Sequence, residues 1–385
     1  MKLAALVEAE DHVCCRYRLA AFRAPLAAAG HSLDLFPTPQ SWFARLNLGS
    51  SLASYDAVIL QRKLLPALAI RRLSKRVSRL LFDFDDAVWL RDSHSPKGFD
   101  DPRRARRFRS TIEACDLVIA GNEYLAAEAR RHIPAERVAI IPTCVVLPDL
   151  GQGSAKISGG HDKPERFLGG TGFQPVQVKT HRLEAGATQE HPTSPVNLAA
   201  LIGPRQQTSS LQIVWVGSSS TLRGLERFMP TLSAIGRAVP GTRLKLICDR
   251  FIDIPDLPVD RCQWNEATEA AEIAAADVGI GWVPDDPWSR GKCGLKVLQY
   301  QAAGLPVIAN PVGVQADLVR DGATGFSATT TEEWVKAVRR LAVDAELRQR
   351  LGAAGRRQVE AKYSVAAGAA LWISALQRLA KPLAA

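Results

Sequence analysis

Gly291-Lys-Cys-Gly-Leu-Lys-Val-Leu-Gln-Tyr-Gln-Ala-Ala-Gly-Leu-Pro-Val-Ile-Ala309 decides how the rest of this chain is read. Arg290 to Gly294 holds two glycines and two cations, and Leu295, Leu298 and Ala302 then recur at helical spacing. The stretch therefore predicts a glycine-bearing loop feeding a helix. Gly304 stops that helix as a C-terminal cap, and residues 305–309 continue as a short apolar, β-branched strand. The N–H groups at such a helix start have no intrahelical partner and sit at the positive end of the helix dipole, so they attract phosphate. Lys292 and Lys296 add full charges at the same end.

Upstream, residues 211–217 read as a strand ending in glycine, 221–237 as a helix, 243–248 as a strand, 267–276 as a helix and 277–282 as another strand. Downstream, helices are predicted over 332–341, 346–362 and 365–379; the last carries Ala369, Trp372, Ile373, Leu376 and Leu379 on one side. The result is an α/β domain whose site belongs at the carboxyl ends of its strands. Gly217-Ser-Ser-Ser-Thr-Leu-Arg223-Gly224 repeats the opening arrangement, since it follows a strand and begins a helix. Nearby, Asp285 and Asp286 could accept hydrogen bonds from sugar hydroxyls, or Asp285-Asp-Pro287 could form only a turn. Trp288 could offer a sugar an apolar face, or simply pack.

The first half alternates in the same way. Strands are predicted over 2–7, 33–36, 57–61, 80–84, 116–120 and 138–141, with a helix over 12–29 closed by Gly30. Such alternation indicates a parallel sheet covered on both faces, with a Rossmann-like rhythm but no Gly-x-Gly-x-x-Gly fingerprint. Between the halves, residues 150–209 crowd Gly, Pro, Ser, Thr, Gln and His without apolar periodicity, and read as a disordered insertion or linker.

The chain has 385 residues, enough for two domains of ordinary size, and 46% of them are hydrophobic, enough for full cores. It lacks any run of eighteen apolar residues. The N-terminus reaches Glu8 too soon for a signal sequence, so a cytoplasmic location is expected. Seven cysteines without a Cys-x-x-Cys pair indicate neither a disulfide framework nor a zinc site. The net charge of +10 requires a partner or a location. Arg72, Lys75, Arg76 and Arg79 are expected on one helical face, followed by Arg103, Arg104, Arg106, Arg107 and Arg109. Without interleaved aromatics they favour an anionic membrane surface, the inner membrane, over single-stranded nucleic acid, or form only a solvated charged face.

Gly294-Leu295, Leu298, Ala303-Gly304-x-Pro306-Val307 and Pro311-x-Gly313-Val314 together resemble the donor-site signature of GT-B glycosyltransferases of the family 4 type. Gln61-Arg-Lys-Leu-Leu65, the segment from Phe82 to Trp89 and Val118-Ile-Ala-Gly-Asn-Glu-Tyr124 carry a looser likeness in the first half. The resemblance implies an α/β protein with two Rossmann-like domains facing each other across a cleft. On that reading residues 1–149 form the acceptor-side domain, 210–363 the nucleotide-sugar-binding domain, and 364–385 a helix that crosses back. It also implies a retaining enzyme that moves a sugar from a nucleoside-diphosphate sugar to a glycan or lipid-linked acceptor in polysaccharide or glycolipid biosynthesis, with no metal and no cofactor.

The family's two glutamates, separated by seven residues, fall at Gly291 and Gln299. Arg223 and Lys292 become the catalytic cations that neutralise the leaving diphosphate. Gly217, Ser218, Gly294, Leu295, Lys296, Gln299, Asp285 and Asp286 become donor-binding, and Asp85, Asp86, His94 and Asn122 face the acceptor. Asp83-Phe-Asp85 matches the metal-binding triplet of the other large glycosyltransferase fold, GT-A. Two rival readings remain: a degenerate transferase that binds a nucleotide-sugar without turnover, and a nucleic-acid-binding protein.

Overall fold

A computed structural model describes residues 1–39, 41, 51–149 and 210–380. The 150–209 insertion predicted from composition lies outside the described residues. In the first half, β1 (Lys2–Val7) leads through α1 (Val13–Arg18) and α2 (Arg23–Ala28) to β2 (Ser32–Pro37). After β3 (Ala57–Gln61) come α3 (Ala67–Ser74), β4 (Leu80–Phe84), α4 (Pro102–Ala114), β5 (Leu117–Ala120), α5 (Glu123–Arg130) and β6 (Val138–Ile140). The strands form a parallel sheet in the order β2-β1-β3-β4-β5-β6. Every residue of β3, β4 and β5 is buried, as expected where helices cover both faces.

The helix expected over 12–29 is broken. Leu19 leaves helical geometry at φ −134°, a 3-10 turn spans Ala20–Phe22, and α2 restarts at Arg23. Pro25 explains the break, because inside one continuous helix it would remove a backbone donor and clash with the preceding turn. The restart places it where N–H groups have no intrahelical acceptor anyway. A second correction concerns the basic set: α3 ends at Ser74, so Arg72, Lys75, Arg76 and Arg79 do not share a helical face, although all four are exposed.

The second half begins with β7 (Gln212–Val216) and α6 (Ser219–Ala238), then β8 (Arg243–Cys248), β9 (Val259–Gln263), α7 (Glu269–Ala274) and β10 (Val278–Gly281). It continues through α8 (Pro287–Arg290), α9 (Leu295–Ala302), β11 (Val307–Ala309), α10 (Gln315–Leu318) and β12 (Gly325–Ser327). Three helices close it: α11 (Thr331–Val343), α12 (Ala345–Lys362) and α13 (Val365–Ala380). Its sheet is also parallel, in the order β12-β11-β10-β7-β8-β9. Strands β9 and β12 were not expected; β9 has only half-buried and exposed residues at a sheet edge, and β12 is only three residues long.

In each sheet the chain reverses its direction of winding beside the first strand, between β1 and β3 and between β7 and β10. Open α/β sheets bind ligands at such switch points, at the carboxyl ends of the strands. Helix α13 packs its apolar side on the first sheet's core: Trp372 is buried, with its ring 6.3 Å from that of Phe22. Burying an aromatic of this size stabilises by roughly 2–3 kcal/mol. Gly368 makes the approach feasible, since a Cβ there would lie 2.5 Å from Cys144 Sγ and 2.8 Å from Phe22 Cε1.

Candidate active site

The carboxyl ends of both sheets line one cavity of about 520 Å³. The second sheet presents two helix starts to it. At the first, Gly217 follows β7 and Ser218 caps α6 through a reciprocal capping box with Thr221, whose Oγ1 accepts the Ser218 N–H at 3.2 Å. Asp249, at the end of β8, accepts the Ser219 N–H at 2.5 Å and the Ser219 hydroxyl at 2.8 Å. Chiefly through that hydroxyl, the Asp249 carboxyl is held below its usual range. A carboxylate thus already sits on the N-terminus of α6. Arg223 is exposed on the second turn and is not among the residues that line the cavity.

The start of α9 differs. Gly294 adopts φ +69°, in the left-handed region that L-residues avoid, and no side chain caps the helix. A Cβ there would also lie 2.5 Å from Leu318 Cδ1. Lys292 and Lys296 both line the cavity beside this start. From α9, Lys296 reaches across to the end of β7, where Nζ donates to the Val216 carbonyl and stands 4.4 Å from the centre of the Trp215 ring. Gly217 leaves room for it, since a Cβ at that position would come within 2.7 Å of Nζ. Burial, helped by the neighbouring Lys292 charge, pushes the Lys296 ammonium down to about 8.

The first sheet contributes a wall of paired charges. Arg62 follows β3 in the left-handed region at φ 55°. Its guanidinium donates to Asp85 at 3.0 Å and Asp86 at 2.6 Å, and also contacts Cys14 Sγ. Burial alone would raise the Asp85 carboxyl, but Arg62 and Arg18 overcome that and hold it below the usual range. Desolvation first, and Asp85 second, push the Cys14 and Cys293 thiols up, so neither is a thiolate nucleophile. Asp83 is sealed from solvent in an ion pair with Arg18, at 0% and 1% side-chain exposure. It cannot join Asp85 around a metal, which argues against the GT-A triplet. Among the described residues no cluster of three metal-ligating side chains occurs.

Two expected site residues hold the two halves together instead. Asn122 caps α5 and donates to the Gly291 carbonyl at 3.0 Å and the Lys292 carbonyl at 3.3 Å, so it braces the α9 loop and does not face an acceptor. Gln299 lines the cavity, and its amide donates to Tyr17 Oη at 3.0 Å; Tyr17 in turn donates to Glu269 at 3.2 Å. Asp285 is exposed and pairs with Arg290 at 2.7 Å, whereas Asp286 caps α8 by accepting the Ser289 N–H at 2.7 Å. The turn reading of Asp285-Asp-Pro287 is therefore the better one. Trp288 packs against the first sheet's core. His94 lies outside the cavity, with its imidazole held down by burial and the Arg227 charge. Asp85, Asp86, Gly217, Ser218, Gly294, Leu295, Lys292, Lys296 and Gln299 do share the cavity.

Tyr17, Asp249, Trp264 and Glu269 are among the lining residues that were not singled out from sequence. None lies in a glycine-bearing motif. Arg62 alone carried a signal, as the cation at the end of an apolar strand run.

Residues 287–358, which run from α8 into α12, match the family model described as glycosyl transferases group 1. The chain carries a glycosyltransferase segment on a GT-B fold. A sucrose-phosphate synthase from Thermosynechococcus elongatus is similar over 98% of both chains, at TM-score 0.67 and 17% identity. A glycosyltransferase from Rickettsia africae is similar over 99% of both chains, at 0.65 and 11%. HepE from Anabaena, solved with UDP-glucose, aligns over 99% of both chains at 0.58 and 14%. At these identities the solved structures show the shared fold, while the group 1 segment marks the chain as a glycosyltransferase enzyme. No match was found among curated proteins.

Proposed function

We propose that the protein is a retaining, family 4 type glycosyltransferase that moves a sugar from a nucleoside-diphosphate sugar to an acceptor hydroxyl in polysaccharide or glycolipid assembly. One observation carries this reading: the uncapped start of α9, flanked by Lys292 and Lys296, opens into the cavity inside the group 1 segment. Unpartnered amides and cations are what a leaving diphosphate needs as its charge grows. Because they act on charge that develops in the transition state, they lower the barrier as well as hold the donor. The Arg62–Asp85–Asp86 wall stands across the cavity and would shape the acceptor side. Since HepE was solved with UDP-glucose, UDP-sugars are the first donors to test.

Thermal stabilisation by UDP-, GDP-, ADP- and dTDP-sugars, followed by release of the nucleoside diphosphate in the presence of glycan or lipid acceptors, tests the reading. Stabilisation by none of the four would overturn it. Stabilisation without release would favour a binding protein. That second reading has a specific support, because Gly291 has no side chain to contact a donor and the Gln299 amide is engaged by Tyr17.

The same reading includes a docking face. Helices α3 and α4 pack side by side on the first sheet and expose Arg71, Arg72, Arg103, Arg106 and Arg107. Near an anionic bilayer each such residue is worth about 1 kcal/mol. No described helix is long and apolar enough to cross a membrane. Reversing these arginines to Glu should abolish binding to anionic vesicles, and unchanged sedimentation with them would refute the docking face.

A further inference from the structure

We propose that Lys296, reaching from α9 across the cavity to the end of β7, is the cation that joins both phosphate-facing loops on the donor diphosphate, and that it takes up a proton when the donor binds. This deepens the donor reading above and rests on it. Three geometric observations support it. The N-terminus of α6 presents no cation of its own to the cavity, because Ser218 is a cap, Asp249 covers Ser219 and Arg223 is outside. The Lys296 ammonium stands directly under Gly217, so it serves that loop although it belongs to the other. Finally, among the described residues Nζ meets one carbonyl and one aromatic face, which leaves donor capacity on a three-donor ammonium.

The titration supports the proposal. The charged or titratable groups that act on Nζ are Lys292 from its own loop, Cys248 at the end of β8 and Glu269 at the start of α7. Burial and Lys292 favour the neutral amine, the other two favour the ammonium, and the net value falls to about 8. A diphosphate in contact adds negative charge and restores the ammonium. The same displacement fixes the sign of a stability effect. A lysine depressed from its unfolded value of about 10.4 penalises the folded state fully below its folded pKa, and the penalty fades as pH rises between the two values. Removing the amine should therefore not destabilise the protein near neutral pH.

Calorimetric titration of the full chain with UDP, in two buffers of different ionisation enthalpy near pH 8, tests this. The wild type should take up a measurable fraction of a proton per UDP bound, because burial and the Lys292 charge favour the neutral amine and the diphosphate restores the ammonium. Lys296→Met should weaken UDP binding by roughly tenfold or more and abolish proton uptake, with a melting temperature at least equal to the wild type. Lys296→Arg, which stays charged, should recover most of the affinity but none of the uptake.

Wild-type binding without proton uptake, or Lys296→Met binding as tightly as the wild type, would overturn the proposal and leave the donor reading standing. If the wild type binds neither UDP nor GDP, ADP or dTDP, the donor reading falls and this proposal with it. The proton measurement uses the wild type, so a poorly folding variant does not protect the idea.

Discussion

The helix starts of α6 and α9 look alike in sequence, since each follows glycine and has a cation within two turns, yet they face the cavity in opposite electrostatic states. At α6 the first amides are satisfied by Thr221 and by Asp249, which also brings a negative charge. At α9 no side chain caps the helix and two lysines stand beside it. A helix N-terminus is an anion site only when its donors are left open. Proximity to a glycine does not decide this; what the rest of the fold places over the donors does.

The largest test of the contrast is kinetic. Lys292→Ala should lower turnover by roughly a hundredfold, since losing one charged donor to a developing oxyanion costs about 3 kcal/mol. Arg223→Ala, on the α6 side, should stay within about twofold. Equal losses in steady-state assays would erase the distinction between the two starts.

A second test compares glycines. Gly294→Ala forces an L-residue to φ +69° with its Cβ 2.5 Å from Leu318, and should cost about 2–3 kcal/mol in a urea unfolding titration. Gly224→Ala, within α6, meets nothing within 4 Å and should stabilise by about 0.5–1 kcal/mol without changing UDP affinity. A Gly294→Ala variant as stable as the wild type would mean that α9 starts with a different backbone.

Gln299→Glu restores the residue that the family resemblance assigns to that position, and sequence alone suggests tolerance. The structure points the other way. The Gln299 amide donates to Tyr17 Oη, and the Tyr17 proton goes to Glu269, so a carboxylate at 299 would face an oxygen without a free donor. A loss of about 1 kcal/mol in stability is expected near neutral pH, smaller in acid where the new carboxyl protonates. Unfolding midpoints that do not change with pH would contradict this account.

The smallest effect belongs to Asp249. Its folded pKa lies below the unfolded value, so its contribution is present above the unfolded pKa and disappears as pH falls through the folded one. Asp249 is exposed and solvent screens the charge, so Asp249→Asn should cost only about 0.5 kcal/mol. If the α6 amides covered by Asp249 take no part in holding the diphosphate, UDP affinity will stay nearly the same. An affinity gain of about tenfold would show that the α6 start had been held closed by this carboxylate.

Sequence by itself determined the layered α/β architecture, because buried parallel strands read as continuous apolar runs and the residues that end helices are local signals. β3, β4 and β8 lie where their apolar runs predict, and Gly304 closes α9 with φ +74°. Local signals failed where the partner is distant in the chain. Nothing near Ser219 announces that Asp249 will cap it from thirty residues away, and nothing near Lys296 announces that its ammonium will rest on a carbonyl eighty residues earlier. Asn122 was expected to face an acceptor and Gln299 the donor, yet each is engaged by the other half of the protein. Only the packing of one sheet's loops against the other's decided that each would hold the protein together, because a hydrogen bond forms with whichever partner the tertiary fold brings within about 3 Å.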